Sequence, residues 1–474
     1  MTAARRVLLS ALGVAVLGAS TFAQSGASSG VAPNAEIEKI LAERVDTYRQ
    51  SVGVVVGVIE PSGRRIVTYG RASTNASMPL NGDTLFEMGS MTKVFTSLLL
   101  AQAVERGEVA LTDPISKYLP ANVKVPERGR AITLQDLSMH QSGLPRMPGN
   151  FKPADPENPF ADYSVEQLYQ FLSNYQLTRD VGAQYEYSNL GAGLLGHILA
   201  LRAGMDFESL VTARITGPLG MASTAITLTP PLQARLAPGH ARTLQPTKNW
   251  DIPSLAGAGA LRSSANDMLT FLAAEMGYTQ SALAPAMKAM LQPRRPAAGP
   301  PGLEVALAWH VFTANGKSIV WHNGGTGGYR TYMGFDPEAR TGVVVLMNAV
   351  SLAGADDIGQ HLLDSRSALL PANSPALVQP KPRTEISLSP AIFDRYVGRY
   401  LFAPTAPFII TRDGDRFMAQ LGAQPAVQIY AETEKDFFYK VVDAQLTFET
   451  DAEGKVIAVV LHQNGLTPRA MRAN

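Results

Sequence analysis

The chain has no cysteine. That excludes disulfides, thiolate zinc sites, iron–sulfur clusters, a cysteine nucleophile and a lipid anchor on an N-terminal cysteine. Charge is also scarce: Asp, Glu, Lys and Arg make up 17% of 474 residues, and 41 basic against 40 acidic side chains leave a net charge of +1. Nucleic-acid-binding domains are usually strongly basic, so no nucleic-acid partner is expected. No segment is long and apolar enough to span a membrane as a helix, so no transmembrane anchor is expected. The seven histidines (140, 197, 240, 310, 322, 361, 462) show neither H-E-x-x-H nor clustered spacing, so no metal is expected. G-x-G-x-x-G at 191–196 lacks the strand that must precede a dinucleotide loop, and its glycines read as close helix packing; no cofactor is expected.

What is present is apolar. Hydrophobic residues reach 46%, enough for a sizeable core, and the length suggests two or three domains. Arg5 and Arg6 precede an apolar run, and Thr21 and Ala23 offer the small residues a signal peptidase reads. Residues 1–23 therefore read as a secretory signal, with twin-arginine export as a minor option, and the mature chain is expected to be secreted or periplasmic. A flexible Gly/Ser/Ala spacer, 24–33, follows.

Residues 34–369 read as one α/β domain. A helix at its start leads into a β-branched run, 52–59, then the turn Pro61-Ser62-Gly63 and a return strand, 64–69. Residues 90–300 are mainly helical, with Ser164 and Gln167 at capping-box spacing. Strand signals return at 305–312, 318–321, 331–335 and 342–347. One sheet completed by both ends of the domain is expected. A proline-rich linker, 370–386, separates this domain from a small all-β domain, 387–474, with seven or eight short strands.

Three segments carry chemistry. In Ser90-Met91-Thr92-Lys93 the hydroxyl and the amine stand at i and i+3, on one side of a first helical turn. Apolar residues follow, so the amine is expected to be buried, which lowers its pKa and sets a base beside a nucleophile. A Ser at a helix start is otherwise an N-cap. Tyr187-Ser188-Asn189 offers a phenol to shuttle a proton and an amide to orient a carbonyl; its bland reading is a capped loop. His322 opens a stretch with glycine at four of the five positions 324–328, where backbone passes close to something or turns; a polar loop is the alternative.

The order Ser-x-x-Lys, Tyr-x-Asn about 97 residues later and His-x-Gly about 133 after Asn189 resembles the serine β-lactamase and penicillin-binding-protein superfamily, nearest its class C β-lactamase, D-peptidase and esterase branch. His140-Gln141-Ser142-Gly143-Leu144-Pro145 supports it. The resemblance implies a sandwich of an antiparallel sheet with helices on both faces plus a helical subdomain. It also implies acyl transfer. Ser90 would attack a carbonyl, Lys93 and Tyr187 would manage protons, and Asn189, His322 and Gly324 would bind substrate. The N–H groups of Ser90 and Gly325 would form the oxyanion hole. His322 stands where many relatives carry lysine, which disfavours efficient β-lactam hydrolysis. The C-terminal domain resembles the small lipocalin-like β domain of some such hydrolases.

The expected partner is a small molecule or peptide: a β-lactam, a D-amino-acid peptide or an ester. Two rival classes remain: a non-hydrolytic penicillin- or peptidoglycan-binding protein, and a carrier whose β domain holds an apolar ligand. The sequence leaves the oligomeric state open.

Overall fold

The computed structural model describes residues 30–74, 78–314, 316–377, 383–403, 406–422, 426–440, 444–463 and 467–473. The signal reading of 1–23 lies outside them, as does most of the spacer. The described residues divide into two compact units, one ending at Pro371 and one beginning at Ala372. Among them no helix is long and apolar enough to cross a membrane.

The first unit opens with α1 (Asn34–Ala42) and the hairpin β1 (Gly53–Glu60) and β2 (Gly63–Gly70). A two-stranded sheet pairs β3 (Leu85–Glu87) with β4 (Arg262–Ser264). The main sheet gains β5 (Arg295–Pro296), β6 (Leu303–Val305), β7 (His310–Ala314), β8 (Lys317–Gly325), β9 (Arg330–Asp336) and β10 (Thr341–Met347). Its order is β2-β1-β10-β9-β8-β7-β6-β5, antiparallel throughout, so the N-terminal hairpin closes against the last strand. β1 and β10 are buried along nearly their whole length, which explains why both are rich in β-branched residues and carry almost no polar ones. One face packs Val54, Val56, Val343 and Val345 against α1 and the helix Asp356–Leu363. The other packs Val55, Val344 and Leu346 into the larger core with α2 (Thr92–Glu105) and the helix Ala265–Glu275.

Between β3 and β4 the chain is mainly helical: α3 (Leu134–Ser138), α4 (Val165–Asn174) and α5 (Asn189–Ala203). Ser164 and Gln167 form the expected reciprocal cap on α4, at 3.2 and 2.8 Å. The glycines of α5 do serve close packing: a Cβ on Gly196 would lie 2.8 Å from Gly257 Cα.

Two strand expectations need correction. Residues 305–312 are two strands joined by a tight turn, in which Ala308 takes φ +62°. The strand expected at 318–321 runs on through His322 to Gly325 as β8, with Gly324 opposite Thr331 and Gly325 opposite Arg330 on β9, so the polar-loop alternative does not hold for these residues.

The second unit is a closed barrel of eight antiparallel strands: β11 (Gly398–Ala403), β12 (Ala406–Asp413), β13 (Arg416–Leu421), β14 (Val427–Ala431), β15 (Asp436–Phe438), β16 (Ala444–Thr450), β17 (Val456–Gln463) and β18 (Arg469–Arg472). Alternate residues point inward, as Ala444, Leu446 and Phe448 do on β16. Aromatic rings fill the interior. The turn Pro390–Phe393 inserts Phe393, fully buried and stacked at 4.0 Å on Phe417, while Tyr396 stacks at 4.4 Å on Phe448. An interior so filled is a core, and the ligand-carrier reading gains nothing from it.

Candidate active site

Ser90 lies in a single 3-10 turn, Gly89–Met91, that runs straight into α2. The turn exists because Gly89 accepts φ +52°, and because nothing but hydrogen fits on its outer side: a Cβ there would lie 2.7 Å from Gly325 N. A Cβ on Gly324 would lie 2.0 Å from Met88 O. The end of β8 and the Ser90 turn therefore touch backbone to backbone, and Thr331 Oγ1 donates to Met88 O at 2.9 Å. Below the turn, Glu87 is buried in an ion pair with Arg262 at 3.3 Å and accepts from Trp250 N at 2.9 Å.

Lys93 is 1% exposed. Its Nζ stands 2.9 Å from Ser90 Oγ, 2.9 Å from Asn189 Oδ1 and 2.7 Å from Ala258 O. Burial drives its pKa well below the usual lysine value, and the nearby Arg146 guanidinium adds to the shift. As a neutral amine it has two N–H groups for the two carbonyl oxygens, which leaves its lone pair facing the Ser90 hydroxyl. That is the arrangement of a base beside a nucleophile.

Tyr187 lies across Lys93, whose Nζ is 4.9 Å from the ring centroid. Burial pushes its phenol up to about 12, opposed by the Ser90 hydroxyl and by Arg146. The phenol therefore stays protonated at neutral pH and is a proton donor rather than a phenolate. Its oxygen has no protein hydrogen-bond partner.

The segment 140–146 holds Tyr187 and Asn189 in place. His140 O accepts from Glu186 N at 2.8 Å, and His140 Nδ1 accepts from Ser188 N at 3.1 Å. Ser188 Oγ donates to Pro145 O at 2.7 Å, and Arg146 O accepts from Asn189 N at 3.0 Å. His140 is buried with φ +58°, an uncommon conformation for a side-chain-bearing residue and one that collects at functional sites. The sequence marks this segment but assigns His140 no role of its own; here its ring packs 4.4 Å from Tyr187.

Two more histidines join it. His322 is fully buried, its ring 6.3 Å from Tyr187, with Nδ1 donating to Asn323 O at 2.6 Å. His310 lies 5.3 Å from His322 and accepts from the Tyr185 hydroxyl at 3.0 Å. Burial holds all three imidazoles neutral, His310 down to about 4 and the others well below the usual value. His140 Nε2, His310 Nδ1 and His322 Nε2 lack protein partners. Spacing along the chain gives no sign that 140, 310 and 322 meet. Among the described residues no group of three or more His, Asp or Glu is arranged to hold a metal ion.

The structure thus brings Ser90, Lys93, Tyr187 and Asn189 together, with the His322–Gly325 strand end against the Ser90 turn. A wall of Phe151, Phe160, Tyr163 and Trp250, ring to ring at 5.1 to 5.5 Å, stands on the 147–163 side.

Residues 37–365 match the β-lactamase family, and 382–472 match a domain family of unknown function (DUF3471). The chain is 29% identical over 344 residues to the D-alanyl-D-alanine-carboxypeptidase/endopeptidase AmpH of Escherichia coli, covering 68% of this chain and 88% of that protein. It is 24% identical over 434 residues to penicillin-binding protein 4* of Bacillus subtilis, covering 85% and 91%. A class C β-lactamase from Rhodobacter sphaeroides superposes with TM-score 0.61 at 27% identity, covering 70% of this chain and 98% of that one.

Proposed function

The chain belongs to the β-lactamase family of serine hydrolases, and from that premise we propose that it is an exported enzyme working through an acyl-enzyme on Ser90. One observation carries this reading: Lys93 is desolvated, its two N–H groups have carbonyl acceptors, and its remaining valence faces Ser90 Oγ at 2.9 Å. Ser90 Oγ attacks the carbonyl carbon while its proton passes to Lys93 Nζ. The new oxyanion sits between the N–H groups of Ser90 and Gly325. Loss of one such donor typically costs about 10²–10³ in rate. As the intermediate collapses, the leaving amine or alkoxide takes a proton from the Tyr187 phenol, which Lys93 then restores. Asn189 aligns the acyl amide, with His322 and Gly324 on the opposite strand. Water repeats the sequence on the ester and frees Ser90. Export rests on the sequence of residues 1–23 alone.

The substrate we favour is a D-amino-acid peptide. The AmpH relative supports it, and so does the uncharged imidazole of His322 where a β-lactamase commonly holds a cation. Intact-protein mass spectrometry and turnover assays with a fluorescent penicillin, a D-alanyl-D-alanine peptide and a p-nitrophenyl ester test the reading. The wild type should show an adduct or turnover that falls by about 10⁴-fold or more in Ser90→Ala. Labelling that persists in that variant removes Ser90 as the nucleophile. Ester turnover without peptide turnover would make the enzyme an esterase.

A further inference from the structure

A cleft that binds a peptide by its free C-terminus needs a cation, because a carboxylate leaving water without a counter-charge is strongly disfavoured. The strand that commonly supplies one offers His322, which burial keeps neutral. Lys93 is buried and already engaged by three oxygens. Arg330, half-buried at the start of β9, gives its guanidinium to the carbonyls of Thr326, Tyr329 and Ser351 at 2.9 to 3.2 Å.

Arg146 is different. Its side chain is exposed, and among the described residues no carboxylate pairs with it. Its backbone is fixed, since Arg146 O accepts from both Asn189 N and Leu190 N, at 3.0 and 3.2 Å. Its guanidinium carbon lies 5.2 Å from the Tyr187 ring centroid, the same ring that Lys93 Nζ approaches to 4.9 Å. The positive charge thus stands beside Tyr187 on an exposed side chain, on the residue next to Met147, whose sulfur contacts Asn189 Nδ2 at 3.7 Å.

We propose that Arg146 is the carboxylate-binding residue of this site, taking the free C-terminal carboxylate of a D-amino-acid peptide, or the ring carboxylate of a β-lactam, in a paired hydrogen bond. A guanidinium suits the task, presenting two parallel N–H groups to two oxygens. The proposal rests on the hydrolase reading above and specifies the charge its substrate carries. A bound carboxylate would also cancel the field that Arg146 exerts on Lys93.

The test compares kcat/KM for an N-acyl-D-alanyl-D-alanine with that for its C-terminal amide, in wild type, Arg146→Gln and Arg146→Lys. The expected wild-type preference for the free acid falls about 10-fold or more in Arg146→Gln and is partly rescued in Arg146→Lys. Arg146 also stacks on Tyr187, so a merely structural role would lower both substrates alike and leave the ratio unmoved. An unmoved ratio overturns the proposal, as does a wild type that does not prefer the acid. The same acid and amide, together with a penicillin and its methyl ester, are titrated by calorimetry into Ser90→Ala and Ser90→Ala/Arg146→Gln. Binding reads Arg146 even where turnover is nil, so failure of Ser90 as nucleophile is told apart from failure of Arg146 as anion site. Loss of affinity for the penicillin acid alone would assign Arg146 to lactams rather than peptides.

Discussion

Around Ser90, the Tyr187 oxygen and one ring nitrogen each of His140, His310 and His322 are buried without a protein partner. In the barrel, seven aromatic rings (393, 396, 400, 408, 417, 437 and 448) are buried together, and no buried side-chain polar atom among the described residues is left unpaired. Tyr400, the fully buried phenol of that core, donates to Tyr396 O at 2.7 Å. An unpaired buried polar group costs about 1–3 kcal/mol, so the first interior carries a burden the second avoids. The contrast separates an interior that carries unpaired polar groups from one that is packed and satisfied, within one chain.

The comparison can be broken at several points, the largest effect first. Lys93→Met should lower kcat/KM by about 10⁴-fold or more. It should leave the urea midpoint almost unchanged, since relief of the desolvated amine offsets the carbonyls left without a donor. A large fall in the midpoint would mean that Lys93 is structural. Phe393→Ala should do the reverse. Opening a cavity in the barrel costs about 3–5 kcal/mol, read as a lower urea midpoint for the barrel, with the rate of Ser90 labelling unchanged. A labelling rate that falls in step with stability would erase the distinction between the two interiors.

The smallest effect is the sharpest in sign. His310 falls to about 4 in the folded chain, against about 6.5 unfolded. As pH drops below about 6.5 the unfolded chain takes the proton first, so folding stability declines until about pH 4 and then levels off. For this residue the loss approaches about 3 kcal/mol. His310→Phe should flatten that part of the pH–stability curve, measured by urea unfolding at pH 7 and pH 4.5. An unaltered slope would show that His310 titrates freely.

What sequence could show here followed contact range. Ser90 and Lys93 are one helical turn apart, and Ser164 and Gln167 cap their own helix, so local spacing sufficed. The buried strands β1 and β10 announced themselves by their wealth of β-branched residues. The histidine cluster did not, because its members come from the turn after α3, from β7 and from β8, and meet only through the sheet. The break between β6 and β7 was hidden because residues 305–309 are apolar throughout, and a turn at Ala308 carries no glycine or proline. The count of seven or eight barrel strands was left open because Arg469–Arg472 lacks an alternating apolar pattern; its partners β11 and β17 define it as the eighth. The glycines after His322 were legible as close approach, and the structure identifies what approaches: another stretch of backbone.

That last contact bears on how such an enzyme can change. Met88 O and Gly325 N are separated from the facing glycines by less than the width of a methyl group. The spacing between the Ser90 turn and the end of β8 is thus gauged by main chain against main chain, with the Thr331 hydroxyl pinned across it. Substitutions in the 147–163 wall can reshape the surroundings of Ser90, while the spacing of these two backbones stays at one setting.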